Sequence, residues 1–220
     1  MDLLYHQDSK FVLSLFTYLC VLCHCYVLAG DVKPREERYI PNYKVYHNVS
    51  YIGQHLRQIV SRYPGFIKLD EAYYSRNQVP QYLLQVTNFT NYPPGGGFKT
   101  SNTKAKVLLS YGEHAREFFP VESLFHLLNN LTAGLHSDRD SYAMAFTRTV
   151  FSKLDLYIVV LANPDGRLHI ERTKNYCWRG TSVGVDLDRN FDWSFGGPGS
   201  KADPTDEEYR GPYPHSGKLY

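Results

Sequence analysis

Residues 112–117 read Gly-Glu-His-Ala-Arg-Glu. Within them His114 and Glu117 present a neutral imidazole and a carboxylate three residues apart, both donor types that zinc accepts. A tight turn leading into a helix at Phe118 can aim the two at one ion, whereas Glu113, adjoining His114, is expected to point elsewhere. Catalytic zinc takes three protein ligands and keeps its fourth position for water, so the pair amounts to two-thirds of such a site. Three more polar clusters follow in order: Asn163-Pro164-Asp165-Gly166, Asn175-Tyr176-Cys177-Trp178-Arg179, and Gly184 to Phe191, which contains Asp188 and Arg189.

The elements around these residues set where they can meet. The apolar run Ala105–Tyr111 predicts a covered central strand ending just before the His–Glu pair. Phe118–Leu131 reads as a helix with Pro120 in its first turn and Gly134 just past its end, and Tyr142–Ser152 as another. Leu154–Leu161 is a second buried strand by composition. Upstream, Val49, Ile52, Leu56, Ile59 and Val60 recur at helical spacing, with Ser50 as the cap and Tyr63-Pro64-Gly65 as the stop. Phe66–Tyr74 and Gln81–Asn88 read as a hairpin, and 91–104, with Pro93-Pro94-Gly95-Gly96-Gly97, as a loop. From Asn163 onward the composition predicts long, irregular loops. Strands alternating with helices give an α/β sheet, and in open α/β sheets ligands sit beyond the carboxyl ends of strands. The clusters after Tyr111 and after Leu161 are therefore expected to face one cleft.

With 220 residues, 43% hydrophobic and 21% charged, the chain has an ordinary globular composition; a net charge of +2 without a basic stripe argues against nucleic acid as partner. The apolar run Phe11–Leu22, preceded by a polar segment, reads as a secretory signal over residues 1–30, with small residues for cleavage at Val27-Leu28-Ala29. An uncleaved signal anchor is the alternative. Residues 31–43 are an extended lead-in. Sequons at Asn48, Asn88 and Asn130 agree with secretion into the extracellular space. Cys20, Cys23 and Cys25 lie within the signal, so cleavage leaves Cys177 alone, expected to be a buried or partly buried thiol with no internal disulfide.

Taken in register, the four clusters resemble the zinc metallocarboxypeptidases of the carboxypeptidase A/B type, peptidase family M14, from about Tyr43 to Tyr213, including a Tyr43/Tyr46 entry to the first helix. The resemblance implies a three-layer fold with a mixed central sheet flanked by helices, a Zn2+ cofactor, and removal of C-terminal residues from peptides or proteins. By the same resemblance His114 and Glu117 are the first two zinc ligands. Arg116 contacts substrate at an outer subsite, Arg179 stabilises the oxyanion and Arg189 grips the substrate's terminal carboxylate. Asp188 departs from the family, which places asparagine there, and brings like charge towards that carboxylate. The family's third zinc ligand, a histidine after a further strand, and its general-base glutamate have no counterpart here; His215-Ser216 is only a faint echo of the former. The expectation is an incomplete, N-terminal part of the catalytic domain over 44–213 with a divergent tail over 214–220, and weak or no hydrolysis. The alternative is a non-catalytic binder of peptide C-terminal carboxylates.

Overall fold

The computed structural model of the protein describes residues 46–89 and 104–217. The signal, the lead-in with Tyr43, the three N-terminal cysteines and most of the proline- and glycine-rich loop lie outside the described residues.

Helix α1 spans Val49–Arg62, and Ile52, Leu56 and Ile59 are buried along one face, as their spacing requires. Its cap is Asn48 rather than Ser50: the Asn48 side-chain Oδ1 accepts the Tyr51 amide at 2.7 Å, since a capping side chain reaches the amide of the second or third helical residue only from the position just outside the helix. Strands β1 (Ile67–Tyr74) and β2 (Pro80–Val86) form an antiparallel hairpin with Ile67 opposite Val86. The Ser75 hydroxyl donates to Asp165, and the Asn77 amide reaches the same carboxylate at 3.2 Å, tying the hairpin turn to the segment after β4.

Strand β3 (Ala105–Ser110) leads into α2 (Phe119–Gly134) and α3 (Tyr142–Lys153), which return the chain to β4 (Leu154–Val159). The sheet order is β1-β2-β4-β3, with β4 antiparallel to β2 and parallel to β3. Leu84 pairs with Ile158, Val86 and Val107 with Leu156, and Leu109 with Ile158, so these residues share one face. That face packs with Ile52 and Leu56 of α1, Leu124 and Leu128 of α2 and Phe151 of α3 in a single core.

Two expectations are corrected. Strand β3 is not central among the described residues but lies at an end of the sheet, and Leu108 is 69% exposed. An apolar run shows that a strand tolerates burial, not that something covers it. The segment after Asn163 is not all loop: Pro164–Thr173 forms helix α4, with the Asn163 side chain capping the Gly166 amide at 2.8 Å and Pro164 in the first turn. Residues expected to be loop from their composition are here a helix start. No helix among the described residues is long and apolar enough to cross a membrane.

Candidate metal centre

The carboxyl ends of the parallel strands β3 and β4 continue side by side. The Tyr111 amide donates to Val159 O at 3.0 Å, Ala162 N to Tyr111 O at 2.8 Å and Asn163 N to Gly112 O at 3.0 Å. Gly112 has φ of 72°, which favours glycine, and a Cβ there would stand 2.6 Å from Leu161 Cδ1 and have to displace that methyl where the chain leaves the sheet. Residues 113–118 are then held from several directions. Asn163 Nδ2 donates to Glu113 O at 3.1 Å and to Gly180 O at 3.0 Å, while Ala115 N donates to Arg179 O at 2.8 Å. Arg167, fully buried on α4, donates from Nε to Ala115 O at 3.2 Å and from Nη2 to Glu117 O at 3.0 Å. The clusters after Tyr111 and Leu161 thus form one site, together with 175–189.

His114 is at its centre, 7% exposed. Its Nδ1 stands 2.9 Å from Glu117 Oε1, and its Nε2 stands 3.1 Å from Asp186 Oδ1 and 3.3 Å from Asp188 Oδ2. Asp186 is wholly buried and also accepts Arg179 Nε at 2.9 Å and the Asp188 amide at 3.0 Å. Arg179 Nη1 is 3.7 Å from Glu117 Oε1. Hydrogen bonds to Asp186 and then Asp188 raise the His114 pKa to about 10, against the opposing effect of burial. Burial works against ionisation of Asp186, but bonds from His114 and Arg179 outweigh it and lower its pKa; the His114 bond does the same for Asp188.

A neutral imidazole has one N–H and one lone pair, yet this ring faces carboxylates on both sides. Without metal the arrangement suits an imidazolium; with one, the ion replaces a proton. The donor set fits zinc best on the Nδ1 side. Asp186 already accepts two other N–H groups, so it is suited to take Nε2–H and fix the tautomer, leaving the Nδ1 lone pair beside Glu117. On the other side, His114, Asp186 and Asp188 also place ligand atoms within 4.8 Å of one another.

The sequence-predicted residues divide accordingly. His114, Glu117, Asp188 and Arg179 converge. Arg116 turns outward to Glu207 Oε2 at 2.7 Å and Cys177 O at 3.2 Å, and Arg189 donates to Gly199 O at 2.6 Å with Glu208 3.7 Å away. Asp188 lies against the histidine rather than against Arg189. His215 stands 3.9 Å from Asp192. It lines a cleft of about 400 Å³ that also includes Glu113, Asp188, Asn190 and Phe191. Cys177 is exposed, correcting the expectation of burial, because the 174–177 turn projects from the end of α4. Asp186 was missed: it sits in the Gly184–Phe191 cluster, but only the fold shows that it meets a histidine 72 positions earlier. Asn48 is occupied as a cap, Asn88 is half-buried after β2 and Asn130 is exposed on α2.

These features belong to a known class. The chain is a member of the zinc carboxypeptidase family, whose sequence model matches residues 52–219. Among its relatives, carboxypeptidase A2 of Rattus norvegicus is 29% identical over 183 residues, covering 80% of this chain and 39% of the relative. Carboxypeptidase A1 of Sus scrofa is 28% identical with the same coverages. In fold, the chain is similar to thrombin activatable fibrinolysis inhibitor, with TM-score 0.66, 23% identity and coverage of 86% of this chain and 44% of the other. Carboxypeptidase A from Helicoverpa armigera gives 0.63, 19%, 91% and 46%. The chain therefore spans about two-fifths of the length of the curated relatives it matches.

Proposed function

We propose that this chain binds zinc through His114 Nδ1 and Glu117 and serves in removal of C-terminal residues from peptides or proteins. The observation that carries the reading is His114 suspended between Glu117 and two aspartates, beside Arg179, at the carboxyl ends of two parallel strands. Zinc bound there would supply a Lewis acid and an activated water. Asp186 would keep the Nε2 proton in place and anchor Arg179, whose remaining N–H groups are suited to an oxyanion developing near Glu117. Arg116 and Arg189 would have to exchange Glu207 and Gly199 for substrate before holding it, which favours slow, substrate-dependent engagement over passive capture of C-termini. Asp188 adds negative charge beside the ligand and would oppose a substrate carboxylate placed close to it.

Among the described residues the cluster contains one histidine, and for these 220 residues assayed alone weak zinc binding and slow peptide turnover are the expected result. The short apolar run Phe11–Leu22 and the sequons support delivery through the secretory pathway, with the exposed Asn130 the best-presented acceptor. The test is zinc titration of dialysed protein in competition with a chromophoric chelator, comparing wild type, His114→Ala and Glu117→Gln, alongside hydrolysis of blocked dipeptides. Binding of one zinc that is lost in His114→Ala, with turnover near background, is the expected result. Equal affinity in wild type and His114→Ala would overturn the metal assignment, and fast chelator-sensitive turnover would overturn the weak-site reading.

A further inference from the structure

Arg167 is a fully buried cation with no hydrogen-bonded carboxylate among the described residues. Glu122 and Glu171, the acids that act on it electrostatically, bond elsewhere: Glu122 to His47 and Glu171 to the Val49 amide. Burying a charge without a counterion is costly, so an unpaired guanidinium persists where its donor geometry answers a specific need. That need is visible in its acceptors. The fork spans the carbonyls of Ala115 and Glu117, two peptide groups in the turn between His114 and α2, and the guanidinium carbon lies 3.8 Å from the centre of the Phe118 ring. Arg167 lies in the first turn of α4, four residues after its cap Asn163, and Asn163 Nδ2 holds the Glu113 carbonyl at the start of the clamped turn. The carbonyls of 113, 115 and 117 are thus all fastened to one rigid helix start.

We propose that Arg167 is the positioning residue of this centre: by clamping the 115 and 117 carbonyls against α4 it sets the angle at which His114 Nδ1 and Glu117 present themselves to a metal. The part of the proposal that concerns metal rests on the zinc reading above; the part that concerns the turn does not. Lysine cannot replace it fully, because a compact ammonium lacks the planar fork that reaches two acceptors and lies flat on an aromatic ring.

The experiment has two arms on the full chain, for wild type, Arg167→Lys, Arg167→Met and the control Phe151→Leu. Phe151 is buried where α3 enters the amino end of β4, away from the strand ends that carry the site. In the first arm, amide hydrogen exchange is followed at Ala115 and Glu117, which donate to Arg179 O and His114 O, against the amides of β4. Arg167→Met should accelerate the two turn amides at least tenfold more than the strand amides, Arg167→Lys should fall between, and Phe151→Leu should leave the ratio unchanged. In the second arm, cobalt(II) titration should show at least tenfold weaker binding and an altered visible absorption band in Arg167→Met, but wild-type values in Phe151→Leu. Uniform acceleration of turn and strand amides in Arg167→Met overturns the proposal. Selective acceleration with no cobalt bound to wild type upholds the clamp and rejects the zinc reading instead.

Discussion

Asp186 and Asp188 approach the same nitrogen of His114 at 3.1 and 3.3 Å, yet their side chains are 0% and 42% exposed, and burial decides what each is worth. Replacing Asp188 by asparagine removes a solvent-screened partner, worth up to about 1 kcal/mol, and lowers the His114 pKa by less than about one. Replacing Asp186 strips the buried carboxylate that both His114 and Arg179 depend on, and should cost roughly 3–5 kcal/mol of stability with a much larger fall in the His114 pKa. The pH dependence of the metal-free protein follows with definite sign. His114 has a folded pKa raised to about 10, so its contribution is complete below an unfolded value of about 6.5 and is lost as pH rises towards 10. Asp186 and Asp188 are lowered, so theirs is present above about 3.9 and is lost as pH falls through their folded values. Stability should therefore be greatest between about pH 4 and 6.5. At pH 7 the proton on His114 should weaken apparent zinc affinity by about three decades, a handicap that shrinks tenfold per pH unit until about 10. Urea denaturation across pH and NMR titration of the His114 ring measure both. Equal effects of Asp186→Asn and Asp188→Asn on the His114 pKa would refute the primacy of burial, and zinc affinity independent of pH between 6.5 and 9 would refute the competition.

Three further outcomes are expected. Gly112→Ala should lose about 2–4 kcal/mol in thermal or chemical denaturation, from the positive φ and the 2.6 Å approach to Leu161; a loss below about 0.5 kcal/mol would show that the turn relaxes. In protein lacking residues 1–30, a thiol reagent should label Cys177 without denaturant, and Cys177→Ser should remove that signal; a response only on unfolding would contradict its exposure. Leu108, exposed on the strand at the end of the described sheet, should promote concentration-dependent self-association in sedimentation, and Leu108→Glu should reduce it; a wild type that stays monomeric, or equal association in the variant, would show that β3 is not a sticky edge.

The parts of the fold legible from sequence were those where periodicity and burial coincide. The Val49–Val60 spacing marks α1 because only one face of a helix can meet the core, and Leu154–Val159 marks β4 because it lies between two strands. Helix α4 was hidden because Asn-Pro-Asp-Gly satisfies a turn and a capped helix start equally well, and because only Ile170 is a fully buried aliphatic residue within it. At the site, His114 and Glu117 were legible from three-residue spacing, a local property. Asp186 and Arg167 were not, since they act from 72 and about 50 residues away. Those two contacts also change what the local pair means. A histidine and a glutamate three apart are common; a histidine with one nitrogen occupied by a buried aspartate, on a turn clamped at two carbonyls, has had its tautomer and its direction chosen. Asp188 gains an explanation from the same geometry. In its position against Nε2, this aspartate strengthens the imidazolium that would have to give up a proton before a metal could bind, so Asp188 acts on the proposed ligand His114 more directly than on Arg189.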